Sequence, residues 1–185
     1  MIKILNGMHE TINYECAMGL QLYRNGKQED YPKHWHVGIE IIMPSQGDYE
    51  VTVGEECYFL EPDDIILIHS GVIHSLRAPS KGERYILQFD TTLLHNLREM
   101  ETLLFMMPPV IFLKKKEGDG LHSFFKEKLD KIIMEYQDNS TFREASIYAA
   151  LIEIYVELGR NEVYKNVSPG IQESTKERQY LEAVM

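Results

Sequence analysis

The sequence predicts a mainly β fold, an antiparallel sandwich or barrel, followed by helices. Three observations carry this. From residue 10 to residue 89, short apolar or alternating runs are separated by turn residues at the roughly 8–12-residue spacing of such folds. After Asp90 the apolar period changes from that of a strand to that of a helix. Between them in importance stands His34-Trp35-His36-Val37-Gly38-Ile39-Glu40, closed by Gly47, which reads H-x-H-x3-E-x6-G. On a strand, His34, His36, Gly38 and Glu40 share one face, and Trp35, Val37, Ile39 and Ile41 share the other. Two imidazoles and a carboxylate gathered on one side, with Gly38 leaving space among them, predict the inside of a small barrel with a site in it.

Length and composition bound the rest. A chain of 185 residues holds one domain, or one domain with an appendage. Apolar residues at 44% and charged residues at 26% are ordinary for a globular chain. A net charge of −10 argues against nucleic acid as a direct partner. The basic run Lys114-Lys115-Lys116, set before Gly118-Asp119-Gly120, reads as a solvated loop. No apolar run approaches the roughly 18 residues that span a bilayer, so no membrane partner is expected. Cys16 and Cys57, with no secretory signal before them, read as two free, buried thiols of a cytoplasmic protein.

In chain order, one or two strands fall between residues 10 and 24 and end at Asn25-Gly26. Tyr31-Pro32 leads into a strand over 34 to 43, and Pro44-Ser45-Gln46-Gly47 turns. Tyr49, Val51 and Val53 then alternate with Glu50 and Thr52, and Gly54-Glu55-Glu56 returns the chain as a hairpin through Cys57 to Leu60. Strands over 65 to 68, 72 to 76 and 84 to 89 follow, divided by Ser70-Gly71 and by the loop from Pro79 to Gly82. Residues 91 to 107 have helical spacing and stop at Pro108-Pro109. One more strand covers 110 to 113.

Two helices come next and form an antiparallel pair. The first runs from about Leu121 to Tyr136, with Asp119 as its N-cap, and puts Phe125, Leu129 and Ile132 on one face. The second opens on the capping box Thr141-Phe142-Arg143-Glu144 and ends near Gly159. It is apolar nearly all round. One face suits the barrel, and the rest, through Ile147, Leu151, Ile154, Tyr155 and Leu158, is expected to pair with a second copy; burial within one chain is the alternative. Residues 161–173 read as a linker. Ser174-Thr175-Lys176-Glu177 is another capping box, whose helix stops at Met185, so a further domain is expected to follow.

Neutral imidazole nitrogen and carboxylate oxygen both ligate divalent metals, and histidines two apart on a strand can converge on one ion. His34, His36 and Glu40 need a partner from another strand. His74 is the first choice and His69 the second. The four-residue set suits one divalent metal (Zn, Ni, Mn or Fe), or lines a metal-free polar pocket whose groups bind a ligand or water. His9, His95 and His122 read as surface or packing residues. No nucleophile constellation and no phosphate-cradling glycine loop occurs, so no catalytic residue is named.

With these residues in place, residues 32 to 78 resemble the cupin motifs. His34, His36, Glu40 and Gly47 match the first motif, although Gln28 stands where its opening glycine would fall. Gly71 and His74 match part of the second, with His69 where proline and Ala78 where asparagine is expected. The order as a whole resembles the effector-sensing half of the arabinose-regulator (AraC) family. Tyr31-Pro32-Lys33-His34-Trp35-His36, Glu61-Pro62-Asp63-Asp64-Ile65-Ile66-Leu67-Ile68 and Ser70-Gly71-Val72-Ile73-His74-Ser75 carry that likeness. It implies a cupin-like jelly-roll barrel over residues 1–115 that binds a small-molecule effector such as a sugar. It also implies a homodimerising helical hairpin over 119–160, and at 174–185 the first helix of a helix-turn-helix domain that alone would touch DNA. A non-enzymatic regulator is therefore expected. A metal-dependent cupin enzyme of dioxygenase or isomerase type, and a stand-alone binding cupin, are the alternatives.

Overall fold

The structure, a computed structural model, describes residues 5–14, 19–95, 97–117, 120–138 and 141–167. A short hairpin of β1 (Leu5–Asn6) and β2 (His9–Glu10) opens the chain. The strands β3 (Leu20–Asn25), β4 (Tyr31–His34), β5 (Ile39–Gln46), β6 (Tyr49–Val53), β7 (Glu56–Leu60), β8 (Ile65–Ile68), β9 (His74–Arg77) and β10 (Glu83–Phe89) follow. Two helices, α1 (Thr92–His95) and α2 (Arg98–Met106), precede β11 (Val110–Leu113), and α3 (Gly120–Gln137) and α4 (Arg143–Val167) come last.

The strands form two antiparallel sheets of jelly-roll type, a five-stranded one ordered β11-β8-β5-β10-β3 and a four-stranded one ordered β4-β9-β6-β7. Among the described residues no strand pair joins them, so the expected jelly roll takes the form of two facing sheets. Period-two alternation explains the layers. Ile42 of β5, Ile66 and Ile68 of β8 and Ile86 of β10 point inward and meet Tyr49, Val51, Leu60 and Leu76 of the smaller sheet in one buried cluster. Their neighbours Ile39, Ile41, Ile65, Leu67, Leu87 and Phe89 point outward and meet the helices in a second cluster. The outer face of the smaller sheet carries the polar residues Glu50, Thr52, Ser75 and Arg77, and among the described residues no layer covers it.

Four expectations are corrected by this arrangement. The run from His34 to Glu40 is not one strand: β4 ends at His34 in the smaller sheet and β5 begins at Ile39 in the larger, so residues 35–38 turn the corner between layers. Val37, placed by parity on an apolar face, is 62% exposed there. The helix expected over 91 to 107 is interrupted between α1 and α2. Cys57 is free but exposed, because β7 is the edge strand of the smaller sheet and its odd positions face solvent. Finally, α4 starts at Arg143, behind Phe142 in the left-handed region (φ 65°), and runs through Gly159 to Val167, so the start of the expected linker is helical. Cys16, the cap Asp119, residues 168–173 and the expected helix at 174–185 lie outside the described residues.

The five residues assigned to a dimer interface face inward. Ile147, Leu151, Ile154, Tyr155 and Leu158 are all 0–2% exposed within the single chain, packed into the outer cluster with the larger sheet and α3. An amphipathic pattern reports how wide the apolar stripe is and not which surface covers it; here the chain's own sheet does.

Candidate functional site

The site sits between the sheets, where strand register brings its members together. His34 lies opposite His74 across the β4–β9 pair, and Glu40 lies opposite Gln88 across β5–β10. His36 comes from the corner between β4 and β5. All three turn inward across that corner: His34, His36 and Glu40 are 1–2% exposed, and His74 is equally buried. All four predicted residues are thus brought together.

Each imidazole is oriented by a backbone carbonyl. Nδ1–H donates to Pro32 O in His34 (2.8 Å), to Gly38 O in His36 (2.8 Å) and to Val72 O in His74 (2.9 Å). That fixes the tautomer and leaves every Nε2 lone pair facing the others. The three rings offer nitrogens all within 4.8 Å of one another. Glu40 closes one side, with Oε2 3.3 Å from His36 Nε2 and Oε1 3.4 Å from His74 Nε2. Neither Nε2 is in hydrogen-bond geometry with a partner. Buried polar atoms are seldom left so, because each one costs about 1–3 kcal/mol. The arrangement could hold a metal ion.

The electrostatics differ from ring to ring. Burial and the neighbouring His74 push the His34 pKa down to about 4, so its ring is neutral near pH 7. Around His36 burial opposes the charged form, but the attraction of the Glu40 carboxylate, 3.3 Å from its Nε2, outweighs it and raises the pKa. Burial also opposes charge on Glu40, yet His36 and His74 hold its carboxylate well below the usual range.

Two residues of the site were not foreseen. Gln88 donates from Nε2 to Glu40 Oε2 at 2.7 Å and so fixes the carboxylate. Its signal was a polar residue inside the apolar run Ile86-Leu87-Gln88-Phe89. Glu10, from the N-terminal hairpin, places Oε2 3.4 Å from His34 Nε2. Nothing local marked it. Gly38 also plays a different part: no ligand space opens there, because a Cβ would overlap the Tyr14 hydroxyl and come within 2.9 Å of Ile12 Cδ1. The N-terminal segment fills that position.

His69, the second choice, lies outside the cluster. Its ring is 6.3 Å from that of Tyr155 in α4, on the helix side of the sheet. Burial pushes its pKa from 6.5 down to about 4. Unfolded, it takes up a proton at higher pH than when folded, so stability is complete above pH 6.5 and falls as pH drops toward 4. The urea midpoint is expected to decline across that window, and His69→Leu to blunt the decline; identical declines in both proteins would refute this role for His69.

Fold and site together define a jelly-roll domain backed by helices, with an enclosed His/Glu centre between its sheets. The AraC-like ligand binding domain family matches residues 19–151, and the chain belongs to that family of ligand-binding domains. Among solved structures, apo ToxT from Vibrio cholerae is similar in fold, with 13% identity and a TM-score of 0.53 over 84% of this chain and 59% of that one. A cupin superfamily protein from Desulfitobacterium hafniense matches at 15% identity and a TM-score of 0.35, over 38% of this chain and 65% of its own. Oxalate decarboxylase of Bacillus subtilis, a protein with Mn(II) centres, matches at 20% identity and a TM-score of 0.36, over 44% of this chain and 24% of its own. The chain therefore spans less than two thirds of each of these proteins. Among curated proteins no sequence relative was found. Among the described residues no helix is long and apolar enough to cross a membrane.

Proposed function

We propose that this chain is the effector-sensing and dimerisation region of a one-component transcriptional regulator of the cytoplasm, and that one divalent metal ion (Zn, Ni, Mn or Fe) held by His34, His36, Glu40 and His74 is what its interior reads. The observation that carries this is the convergence of three carbonyl-oriented imidazoles whose Nε2 atoms face each other, two of them without a hydrogen bond. Side chains this enclosed suit an ion better than a sugar ring, the effector class first expected. A bound cation would satisfy donors drawn from both sheets and favour the arrangement in which they are close, which is how binding could bias an attached DNA-binding domain. The same donors would serve a metal-dependent enzyme; membership of a ligand-sensing family supports regulation instead.

Pairing of two copies would fall on what α4 leaves partly exposed. Tyr148, Ile152 and Val156, at i, i+4 and i+8, form a second apolar row that is half-buried in the single chain.

The test uses protein purified without an affinity tag. Titration with Zn2+ or Mn2+ is expected to load one ion per chain and to raise the melting temperature by roughly 5–10 °C at a hundredfold excess over Kd. Sedimentation is expected to show a dimer. Loading below about a tenth of an equivalent, with no change in melting, would remove the metal reading.

A further inference from the structure

We infer that Gln88 is a positioning residue that sets how many oxygens Glu40 offers to a divalent ion, and thereby the preference of the centre among such ions. The inference rests on the metal reading above and deepens it with a residue outside the cluster of donors.

The cluster that could hold an ion is the three imidazoles of His34, His36 and His74. Glu40 stands at its side, and one bond governs how. Gln88 donates from Nε2 to Glu40 Oε2 at 2.7 Å, the short end of the range for N–H···O and typical of a bond to a charged acceptor. That oxygen, 3.3 Å from His36 Nε2, is committed to the amide, and Oε1 is left turned toward His74, 3.4 Å from its Nε2. The amide has a rigid base. β10 is an inner strand of the larger sheet, with Gln88 opposite Glu40 on one side and Gln21 on the other. Its neighbours Leu87 and Phe89 are buried against the helical layer. Gln88 itself is 4% exposed, which shields the bond from exchange with water.

A neutral amide suits this task. A Lys or Arg in its place would neutralise Glu40 and repel a cation beside it, whereas Gln orients the carboxylate and leaves its charge intact. With Oε2 held, Glu40 adds one oxygen to three nitrogens. Four donors of this kind are the set that Zn2+ accepts, whereas Mn2+ favours a larger set richer in oxygen. Without the amide, nothing would hold Oε2 back, and both oxygens of Glu40 would be free to turn to the ion. That change favours Mn2+ relative to Zn2+. Gln88 therefore biases the centre toward Zn2+.

The experiment compares the full 185-residue chain with Gln88→Met and Gln88→Asn. The first fills the same space without a donor, and the second keeps an amide that is one methylene too short. Calorimetry gives the affinity of each protein for Zn2+ and, separately, for Mn2+. In both variants Zn2+ affinity is expected to fall about tenfold, the usual effect of removing a residue that orients a metal-binding carboxylate. Mn2+ affinity is expected to fall less, so that the ratio of Zn2+ to Mn2+ affinity drops about fivefold or more. A Gln88 that served packing alone would weaken both ions by the same factor. An unchanged ratio in both variants therefore overturns the inference while leaving the metal reading intact. Repeating the titrations in a Glu40→Gln background tests the route. There Gln88→Met is expected to leave the ratio where Glu40→Gln alone puts it, and a further drop would overturn action through Glu40. A parent chain that binds neither Zn2+ nor Mn2+ overturns both readings.

Discussion

His74→Ala is expected to abolish stoichiometric binding of Zn2+ and Mn2+, weakening affinity by at least about a hundredfold, and to remove the metal-dependent rise in melting temperature. His74 is the only member of the four predicted residues that lies outside the opening run, and it comes from a strand paired directly to that of His34. Its Nδ1 is tied to Val72 O, so its Nε2 is presented in one orientation, 3.4 Å from Glu40 Oε1. Truncation removes a donor and leaves the others without a replacement in reach. In metal-free protein the change also takes one neighbour from a buried carboxylate, at a cost of about 1–3 kcal/mol. His69→Ala is the control: that ring lies against Tyr155, and Zn2+ affinity should be unchanged. Equal affinity in His74→Ala and the parent would show that the cluster is not the metal site.

Gly47→Ala should destabilise the fold by on the order of 3 kcal/mol, read as a drop in the urea midpoint at constant slope. Gly47 links β5 to β6 with φ 81°, and a Cβ there would stand 2.6 Å from Lys81 O and 3.1 Å from Gly82 Cα. Backbone cannot move aside as a side-chain tip can. The left-handed conformation alone costs about 1 kcal/mol for alanine, and the overlap adds the remainder. Gly54 separates the two terms, since its φ is 60° but nothing lies within 4 Å of its Cβ position. Gly54→Ala should therefore lose only about 1 kcal/mol. If both substitutions cost the same, close packing at Gly47 is not what the motif's last position selects.

The contrast shows what the sequence discloses and what it does not. The alternation of Tyr49, Val51 and Val53, the apolar run 65–68 and the 3.6-residue period of α3 are local signals, and those elements fall where they were expected. The four pocket residues also come together, because His34, His36 and Glu40 all turn inward even though the chain leaves one sheet for the other between them. The corner itself was not legible. An alternating run looks the same whether it stays in one sheet or crosses to another, since strand partners are chosen by long-range pairing. Glu10 was missed for the same reason: its place depends on bonds to Trp35, 25 positions on. The exposed Cys57 and the inward face of α4 are further cases, in which a residue's surroundings depend on which strand is at the edge and which layer covers a helix.

The corner has a mechanical meaning. His34 and His74 are anchored in the four-stranded sheet, and Glu40 in the sheet that bears the helices. Glu40 stands between Ile39 and Ile41, whose side chains are embedded against the helical layer. A pull on the Glu40 carboxylate would thus reach that layer through the thickness of a single strand. The pleat of β5 thus carries the His/Glu cluster on one side and the helical layer on the other.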